Sequence, residues 1–320
     1  MTSRIIGTGS YLPENIVTNT DLTEYIDTSD EWIRERSGIC YRRISTEEGT
    51  SALAVQAAQR AIEDAGIAPE EIEIIVLATS SPDRSFPSAA TDVQAAVGAL
   101  NAVAFDITAA CSGFIYAMHI VQGFIQSGIY KTGLVIGAET LGKVLDWTDR
   151  GTCFLFGDGA GAAVVRADEK GLIDTLVGSD GRKGWVLECQ SRSLGNCLTK
   201  VKPELGFMKM DGQEVFKFAV RKVPEITKQI MEDNGLVQED IRYFVLHQAN
   251  IRILEAVSRR LKIPMEKIPV NLDQYGNTSA ASIPVLLDEM NRDGRLQRGD
   301  KIVLSGFGAG LTWGAMLLEW

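Results

Sequence analysis

Residues Glu63–Leu77 read EDAGIAPEEIEIIVL, and residues Glu232–Leu246 read EDNGLVQEDIRYFVL. The two stretches lie 169 residues apart and share one pattern: a helix end, a glycine able to close it, an acidic turn and a short apolar β-rich run. A second match, at an offset of 166, sets Gln126–Ile136 (QSGIYKTGLVI) on Arg292–Ile302 (RDGRLQRGDKI), with Gly128 on Gly294 and Gly133 on Gly299. Self-similarity at a fixed long offset predicts two related βα halves packed about a pseudo-twofold axis, which would bring equivalent helix N-termini together. Carrying the 166 offset back along the preceding helix sets Cys111 on Asn277. Chance likeness between two βα units is the competing explanation.

Outward from these stretches, strand runs alternate with helical runs, as an α/β fold requires. Apolar β-rich runs fall at Ile72–Ala78, Val103–Ile107, Gly133–Gly137, Ala160–Val165, Tyr243–Leu246 and Ile302–Leu304. Helices are expected over Ser51–Ala65, Ser112–Gln126, Glu214–Asn234 and Ser282–Arg292, and no low-complexity linker separates two halves. The 320 residues are 45% hydrophobic and 23% charged, enough apolar material for a large core. No apolar run approaches the ~18 residues of a membrane span, and the N-terminal stretch lacks a signal-peptide pattern. Five irregularly spaced cysteines argue against a disulfide framework and for a reducing, cytoplasmic setting. No CxxC or HExxH pattern is present, so no metal site is expected. A net charge of −10 speaks against nucleic-acid binding, and an anionic substrate would need a local reversal of charge.

The segment AFDITAACSGFIYAMHIVQGFIQSG runs from a strand through small residues to Cys111 and then into a helix apolar on nearly all faces. Unpaired N–H groups at such a helix start favour a thiolate, the form a nucleophilic cysteine needs. A small buried core cysteine is the alternative. His247 follows directly on the strand Tyr243–Leu246, where α/β sheets collect catalytic groups, and in the repeat it stands where the first half has Ala78. His119, inside the apolar helix, reads as a packing residue. Asn277, in YGNTSAAS, is either a helix N-cap or a third member of the site. Cys, His and Asn thus converge from both halves.

Gly7–Ser10 (GTGS) is not a full dinucleotide fingerprint. Gly306–Gly310 (GFGAG) follows a strand and leads into an apparent hairpin partner; its backbone N–H groups could serve an oxyanion, or it is a tight turn. Arg34, Arg36, Arg42 and Arg43 lie near Trp32, a combination able to stack on a base and pair with phosphates. A second basic set comprises Lys217, Arg221, Lys222, Arg252, Arg259, Arg260 and Lys262, of which the last three also fit a solvated helix face.

Across nearly the whole chain the sequence resembles the 3-oxoacyl-[acyl-carrier-protein] synthase III family, the initiating condensing enzymes of bacterial type II fatty-acid synthesis. The stretches that carry the resemblance are IIGTGSYLPE, DTSDEWI, AFDITAACSGF, TDRGTCFLFGDGAGAAV, MDGQEVFKFAV, LHQANIRI, YGNTSAAS and GFGAGLTWG. The resemblance implies a thiolase-like fold: a homodimeric, five-layered αβαβα sandwich with halves at residues 1–170 and 171–320. It implies Cys111 as acyl carrier, His247 and Asn277 for decarboxylation and condensation, and the N–H groups of Cys111 and Ala309 as oxyanion hole. Trp32, Arg36 and Arg150 fall on contacts to the coenzyme A nucleotide. Thr28, Gly151, Met210, Phe216, Ala249 and Asn250 fall around the pantetheine tunnel. Lys217, Gln248 and Arg252 fall on the carrier-protein docking surface, and Phe86 on the residue that caps the partner's acyl pocket. Two departures stand out: Ala309 replaces a glycine, and Gly181–Pro203 matches no family motif.

The implied reaction is transfer of an acyl group from acyl-CoA to Cys111, then decarboxylation of malonyl-acyl-carrier protein and attack of the resulting enolate on the acyl-enzyme. Coenzyme A thioester is a substrate, and no resident cofactor is expected. The alternatives are a thiolase-fold acyltransferase of secondary metabolism, a Cys-His-Asn thioester or amide hydrolase, and a non-catalytic partner protein. The last would be expected to lack the nucleophile.

Overall fold

The apolar runs that end the repeated stretches become β4 (Ile74–Ala78) and β11 (Tyr243–Leu246). All five residues of β4 are buried, as an unbroken apolar run requires when a strand is covered on both faces. The computed structural model describes residues 1–320. β4 lies in a five-stranded sheet between β5 (Val103–Ile107) and β6 (Thr132–Glu139), parallel to both; β7 (Gly159–Asp168) and β1 (Thr2–Tyr11) continue it antiparallel, in the order β1-β7-β6-β4-β5. The second sheet runs β11-β12-β13-β8, with β12 (Lys301–Gly308) parallel to β11, and β13 (Thr312–Glu319) and β8 (Leu172–Ser179) antiparallel. The chain leaves the first sheet at Asp168 and enters the second at Leu172.

Three apolar clusters define the layers. Helices α2 (Thr50–Ala65) and α3 (Ala89–Val97) cover the outer face of the first sheet through an alanine-rich cluster that includes Ala54, Ala57, Ala61 and Ala162. Between the sheets lie α4 (Gly113–Gln126) and α8 (Ser282–Arg292), joined by Phe114, Met118, Leu286 and Met290. The outer face of the second sheet is covered by α5 (Gly212–Asp233) and α6 (Ile251–Leu261), with α1 (Asp30–Ser37) and α7 (Leu272–Tyr275) at its margin. This is the αβαβα thiolase-like sandwich. Two small ribbons complete it: β2 (Ile16–Thr18) with β3 (Tyr41–Arg43), and β9 (Leu187–Cys189) with β10 (Met208–Met210). The second ribbon grows from the segment Gly181–Pro203 and closes over the site.

The repeat is real, but its register differs from the one expected at the nucleophile. Strands β4 and β11 start 169 residues apart, and so do β6 and β12. The short turns Ala110–Ser112 and Ser279–Ala281 keep the same offset, and their first residues share a left-handed backbone, φ 46° at Ala110 and 49° at Ser279. Cys111 therefore corresponds to Ala280, and Asn277 to Thr108. The 166 offset holds only at the helix ends, where Gly128 and Gly294 both have φ 75°. α4 has 14 residues and α8 has 11, so three residues drop out inside the helix and return in the following loop. Extrapolating through that length difference misplaced Cys111 on Asn277 and Gly133 on Gly299.

Candidate active site

Cys111 sits in the turn before α4, with Ala109 and Ala110 bending the chain out of β5. Ser112 ties this turn to the second half: its hydroxyl bonds Ala109 O and Thr312 Oγ1, both at 2.8 Å, and Thr312 in turn bonds Ala309 O at 2.9 Å. The end of β12 runs so close that a Cβ on Gly308 would stand 2.7 Å from the Cys111 nitrogen. Only glycine fits such an approach. Ala309 does not occupy the left-handed region, so its methyl group costs no backbone strain.

The thiol itself departs from expectation. Cys111 is 7% exposed, and burial pushes its pKa up to about 12, with the buried Glu139 charge adding to the rise and a Ser279 hydroxyl contact opposing it. Desolvation of a thiolate outweighs the helix N-terminus. Burial thus opposes the thiolate that a helix N-terminus favours.

His247, at the end of β11, is buried and neutral; desolvation lowers its pKa to about 3. Ser282 fixes the ring. Its Oγ accepts the Gln248 N–H at 2.7 Å and lies 3.1 Å from His247 Nδ1. A hydroxyl that donates to Nδ1 puts the ring proton on Nε2, the arrangement in which His247 is a donor toward the cavity. Nε2 has no protein partner. Phe307 packs edge-on against the ring, centroids 5.5 Å apart. Asn277 Oδ1 accepts the Ser279 N–H at 2.9 Å, which turns the amide nitrogen of Asn277 outward as a donor. Two neutral donors thus stand beside one thiol.

One cavity joins these groups to the surface. Its wall contains Cys111, His247, Asn277, Gly151, Met210, Phe216, Ala249 and Asn250, and Trp32, Arg36 and Arg150 stand at its mouth. Arg150 stacks on Trp32 at 4.3 Å and Arg36 lies 5.4 Å from the same ring. A second cavity opens behind Cys111, lined by Ser80, Leu141, Cys189, Met208, Ser279 and Ala309 among others. Asn250 caps α6 and its amide bonds Arg36 O at 3.0 Å, tying the two sides of the mouth together.

Several expected positions fall elsewhere. Thr28 does not line the cavity; its hydroxyl is buried just before the α1 N-cap. Gln248 is 1% exposed and spends its side chain on Leu246 O, Pro269 O and the Asn271 N–H, so it cannot meet a partner protein. Arg42 is fully buried, with its guanidinium on Asn19 Oδ1 at 2.7 Å, Phe154 O at 3.0 Å and Val17 O; burial lowers its pKa to about 10. Arg34 pairs with Asp30, and Arg43 with Pro13 O and Glu14 O, which leaves Arg36 alone of that quartet at the mouth. Lys222 lies over the Trp313 ring at 4.7 Å. Lys217 and Arg252 are exposed beside the site, Lys217 sharing Glu214 with Lys183, and Arg252 donating to Glu35 O at 3.0 Å. Phe86 is 84% exposed and outside both cavities of its own chain. Ser282 and Glu139 were missed: a serine in a small-residue run and a glutamate ending a strand carry no signal without the fold.

A buried cysteine, a neutral histidine and an asparagine at the meeting point of two thiolase-type halves define a condensing acyltransferase. Residues 105–181 match the family described as 3-Oxoacyl-[acyl-carrier-protein (ACP)] synthase III, and residues 231–320 its C-terminal region. The beta-ketoacyl-[acyl-carrier-protein] synthase III of Clostridium acetobutylicum is 54% identical over 318 residues, 99% of this chain and 98% of that one. The crystal structure of 3-oxoacyl-[acyl-carrier-protein] synthase III from Aquifex aeolicus matches with a TM-score of 0.93 and 47% identity, over 99% of this chain and 100% of that one. A priming beta-ketosynthase from the R1128 polyketide pathway matches at 0.91 and 36%, over 99% and 96%. The chain belongs to the 3-oxoacyl-[acyl-carrier-protein] synthase III family.

Proposed function

We propose that this enzyme condenses an acyl-CoA primer with malonyl-acyl-carrier protein, through an acyl-Cys111 intermediate, to start fatty-acid synthesis. The observation that carries the reading is the position of Cys111 at the inner end of a cavity whose mouth is built from Trp32, Arg36 and Arg150. An aromatic face flanked by guanidinium groups suits a nucleotide, and the largely apolar passage behind it suits a pantetheine arm.

In the first half-reaction Cys111 sulfur attacks the thioester carbonyl, and the N–H groups of Cys111 and Ala309 receive the oxyanion. Coenzyme A leaves as a thiol. In the second, the malonyl thioester occupies the same passage, and its carboxylate leaves as carbon dioxide. Negative charge then gathers on the thioester oxygen, where His247 Nε2–H and the Asn277 amide donate to it. Both donors are neutral and buried, so they stabilise the enolate without protonating the carboxylate that must leave. The enolate carbon attacks the acyl-Cys111 carbonyl and releases the thiolate. No resident cofactor enters this scheme. Lys217 and Arg252 offer a basic approach for an acidic carrier protein, and Phe86 would close the acyl pocket of a second copy in a homodimer. The free cysteines fit a reducing, cytoplasmic setting.

The test is incubation with a panel of acyl-CoAs and malonyl-carrier protein, with products read by mass spectrometry. The expected product is 3-oxoacyl-carrier protein, formed with one acyl group passing through Cys111. Free acid as the main product would favour a hydrolase instead. A product formed only with unusual primers would favour the secondary-metabolism reading, which the likeness to a polyketide priming synthase keeps in view.

A further inference from the structure

The mouth of the cavity is built on two pieces of chain. Helix α1 carries Trp32 and Arg36, and the turn that leads to Phe154 carries Arg150. The pieces touch where the Trp32 ring meets Phe154 edge-on, centroids 5.2 Å apart. A chain of buried hydrogen bonds also joins them. Arg42 and Asn19 are both 0% exposed. One terminal nitrogen of Arg42 donates to Phe154 O at 3.0 Å and to Asn19 Oδ1 at 2.7 Å, and the other donates to Val17 O at 3.3 Å. The Asn19 amide nitrogen donates in turn to Asp30 Oδ1 at 2.9 Å, at the start of α1, and to Ile39 O at 2.8 Å, just past its end. The acceptors on Arg42 are neutral, and a guanidinium buried without a carboxylate on it is costly. The nearest anion along the chain of bonds is Asp30, one amide away, so the charge polarises every bond between them.

We propose that Arg42 and Asn19 form a buried strut that positions the nucleotide mouth: it holds both ends of α1 against the Phe154 segment, and so fixes Trp32 and Arg36 opposite Arg150. A helix of eight residues does not hold its place by itself. The Arg34–Asp30 pair on its surface is exposed and contributes little. Asn250 and Arg252 tie α1 to α6 through Arg36 O and Glu35 O, and the strut supplies the tie on the Arg150 side. Only a planar fork reaches both Val17 O on one arm and two acceptors on the other, which a lysine could not do. A mouth ordered in advance spares the nucleotide the cost of ordering it. The strut bonds neither to Cys111 nor to the oxyanion donors, so it acts on nucleotide binding and not on the transfer step. Arg42 and Asn19 are positioning residues that work through Trp32 and Arg36. The inference rests on the acyl-transfer reading above, in which this mouth receives the nucleotide of coenzyme A.

The experiment is single-turnover acylation of the full chain, read by intact mass over a range of thioester concentrations, in wild type, Arg42→Met, Asp30→Ala and Arg34→Ala. Two thioesters are compared: acetyl-CoA, and acetyl-pantetheine, which keeps the arm and lacks the nucleotide. Arg42→Met and Asp30→Ala should each raise the half-saturating concentration of acetyl-CoA on the order of tenfold, the worth of one charge-assisted hydrogen bond, with the maximal rate close to wild type. Acylation by acetyl-pantetheine should be the same in wild type and both variants. Arg34→Ala removes the surface pair but leaves Asn19 on Asp30, and should match wild type with either thioester. Asp30 is 44% exposed, so Asp30→Ala decides the matter even if Arg42→Met does not fold. Wild-type saturation by acetyl-CoA in either variant would overturn the strut. Equal losses with both thioesters would overturn it too, as the mark of a general structural defect, and so would an Arg34→Ala loss as large as that of Asp30→Ala. A different result bears on the reading beneath it: if wild type takes no acyl group on Cys111, or saturates alike with the two thioesters, the mouth holds no nucleotide and the strut falls with that reading.

Discussion

The corner that carries Cys111 and the corner that carries Ser279 are the same piece of backbone used twice. Each follows the sheet with a turn whose first residue is left-handed, and each leads into a helix of the middle layer. Position for position they hold different chemistry. The first half has Ala78, Thr108, Ala110, Cys111 and Glu139 where the second has His247, Asn277, Ser279, Ala280 and Gly308. The proposed nucleophile and the buried carboxylate come from one half, and the two proposed neutral donors from the other. The backbone is shared, and the side chains at these five positions are not. Gly308 shows why the division is asymmetric: a side chain there would collide with the Cys111 backbone, whereas its counterpart Glu139 is held by donors from three residues, Thr79, Ser80 and Ser81.

The comparison can be broken most severely by moving the nucleophile. Cys111→Ser should abolish acyl loading, because an alcohol is far harder to ionise than a thiol. A Cys111→Ala/Ala280→Cys double variant should not recover it, since the equivalent corner lacks the Gly308 approach and the Ala309 N–H. Peptide mapping after exposure to acyl-CoA checks both, and an acyl group on Cys40, Cys153, Cys189 or Cys197 of the wild type would remove Cys111 from its role.

A smaller effect is expected at Ser282, which the first half replaces by Gly113. Ser282→Ala removes the hydroxyl that holds His247 in the Nε2–H form. One hydrogen bond of about 1–1.5 kcal/mol corresponds to roughly five- to tenfold in decarboxylation rate, with loading less affected. The same ring gives a pH prediction. A folded-state pKa near 3 lies below the ordinary histidine value, so His247 stays neutral and wild-type decarboxylation should not decline with histidine protonation between about pH 5 and 8. The sign for stability is opposite: as pH falls below the ordinary value the unfolded chain gains a proton that the folded one refuses, so this residue weakens the fold in acid. A rate that halves near pH 6.5 would place an ionisable His247 in the site.

The mildest changes are expected at the rim. Lys217→Glu and Arg252→Glu should each raise the KM for malonyl-carrier protein several-fold at low salt and leave loading from acyl-CoA nearly intact, with added salt narrowing the gap. Lys217 already shares Glu214 with Lys183, so its effect should be the smaller of the two. Unchanged carrier-protein kinetics in both variants would move the docking face elsewhere.

How much of this was legible beforehand follows from what each feature depends on. β4 and β11 could be read because a fully covered strand must be continuously apolar, and the 169 offset because both halves keep the glycine and acidic turn before it. That Cys111, His247 and Asn277 would meet could be read because cysteine, histidine and asparagine are distinctive at strand and helix ends, and the three line one cavity. The pairing of Cys111 with Asn277 failed because periodicity along a helix says nothing about its length, and α4 is three residues longer than α8. Arg42 and Gln248 were assigned outward because composition cannot show which polar side chains a fold turns inward to brace carbonyls. The burial that opposes a thiolate at Cys111 is a property of both halves together. Ser279, Ser282 and Glu139 are ordinary residues until the corners meet.

The division of labour between the halves is tested most directly by trapping the acyl-enzyme. His247→Ala and Asn277→Ala enzymes, loaded with acyl-CoA and then given malonyl-carrier protein, should be followed by intact mass. The acyl group should appear on Cys111 at a rate comparable to wild type and then persist, with discharge slowed on the order of 100-fold or more by loss of one preorganised donor. Variants that fail to load, or that load and discharge as wild type does, would contradict the account.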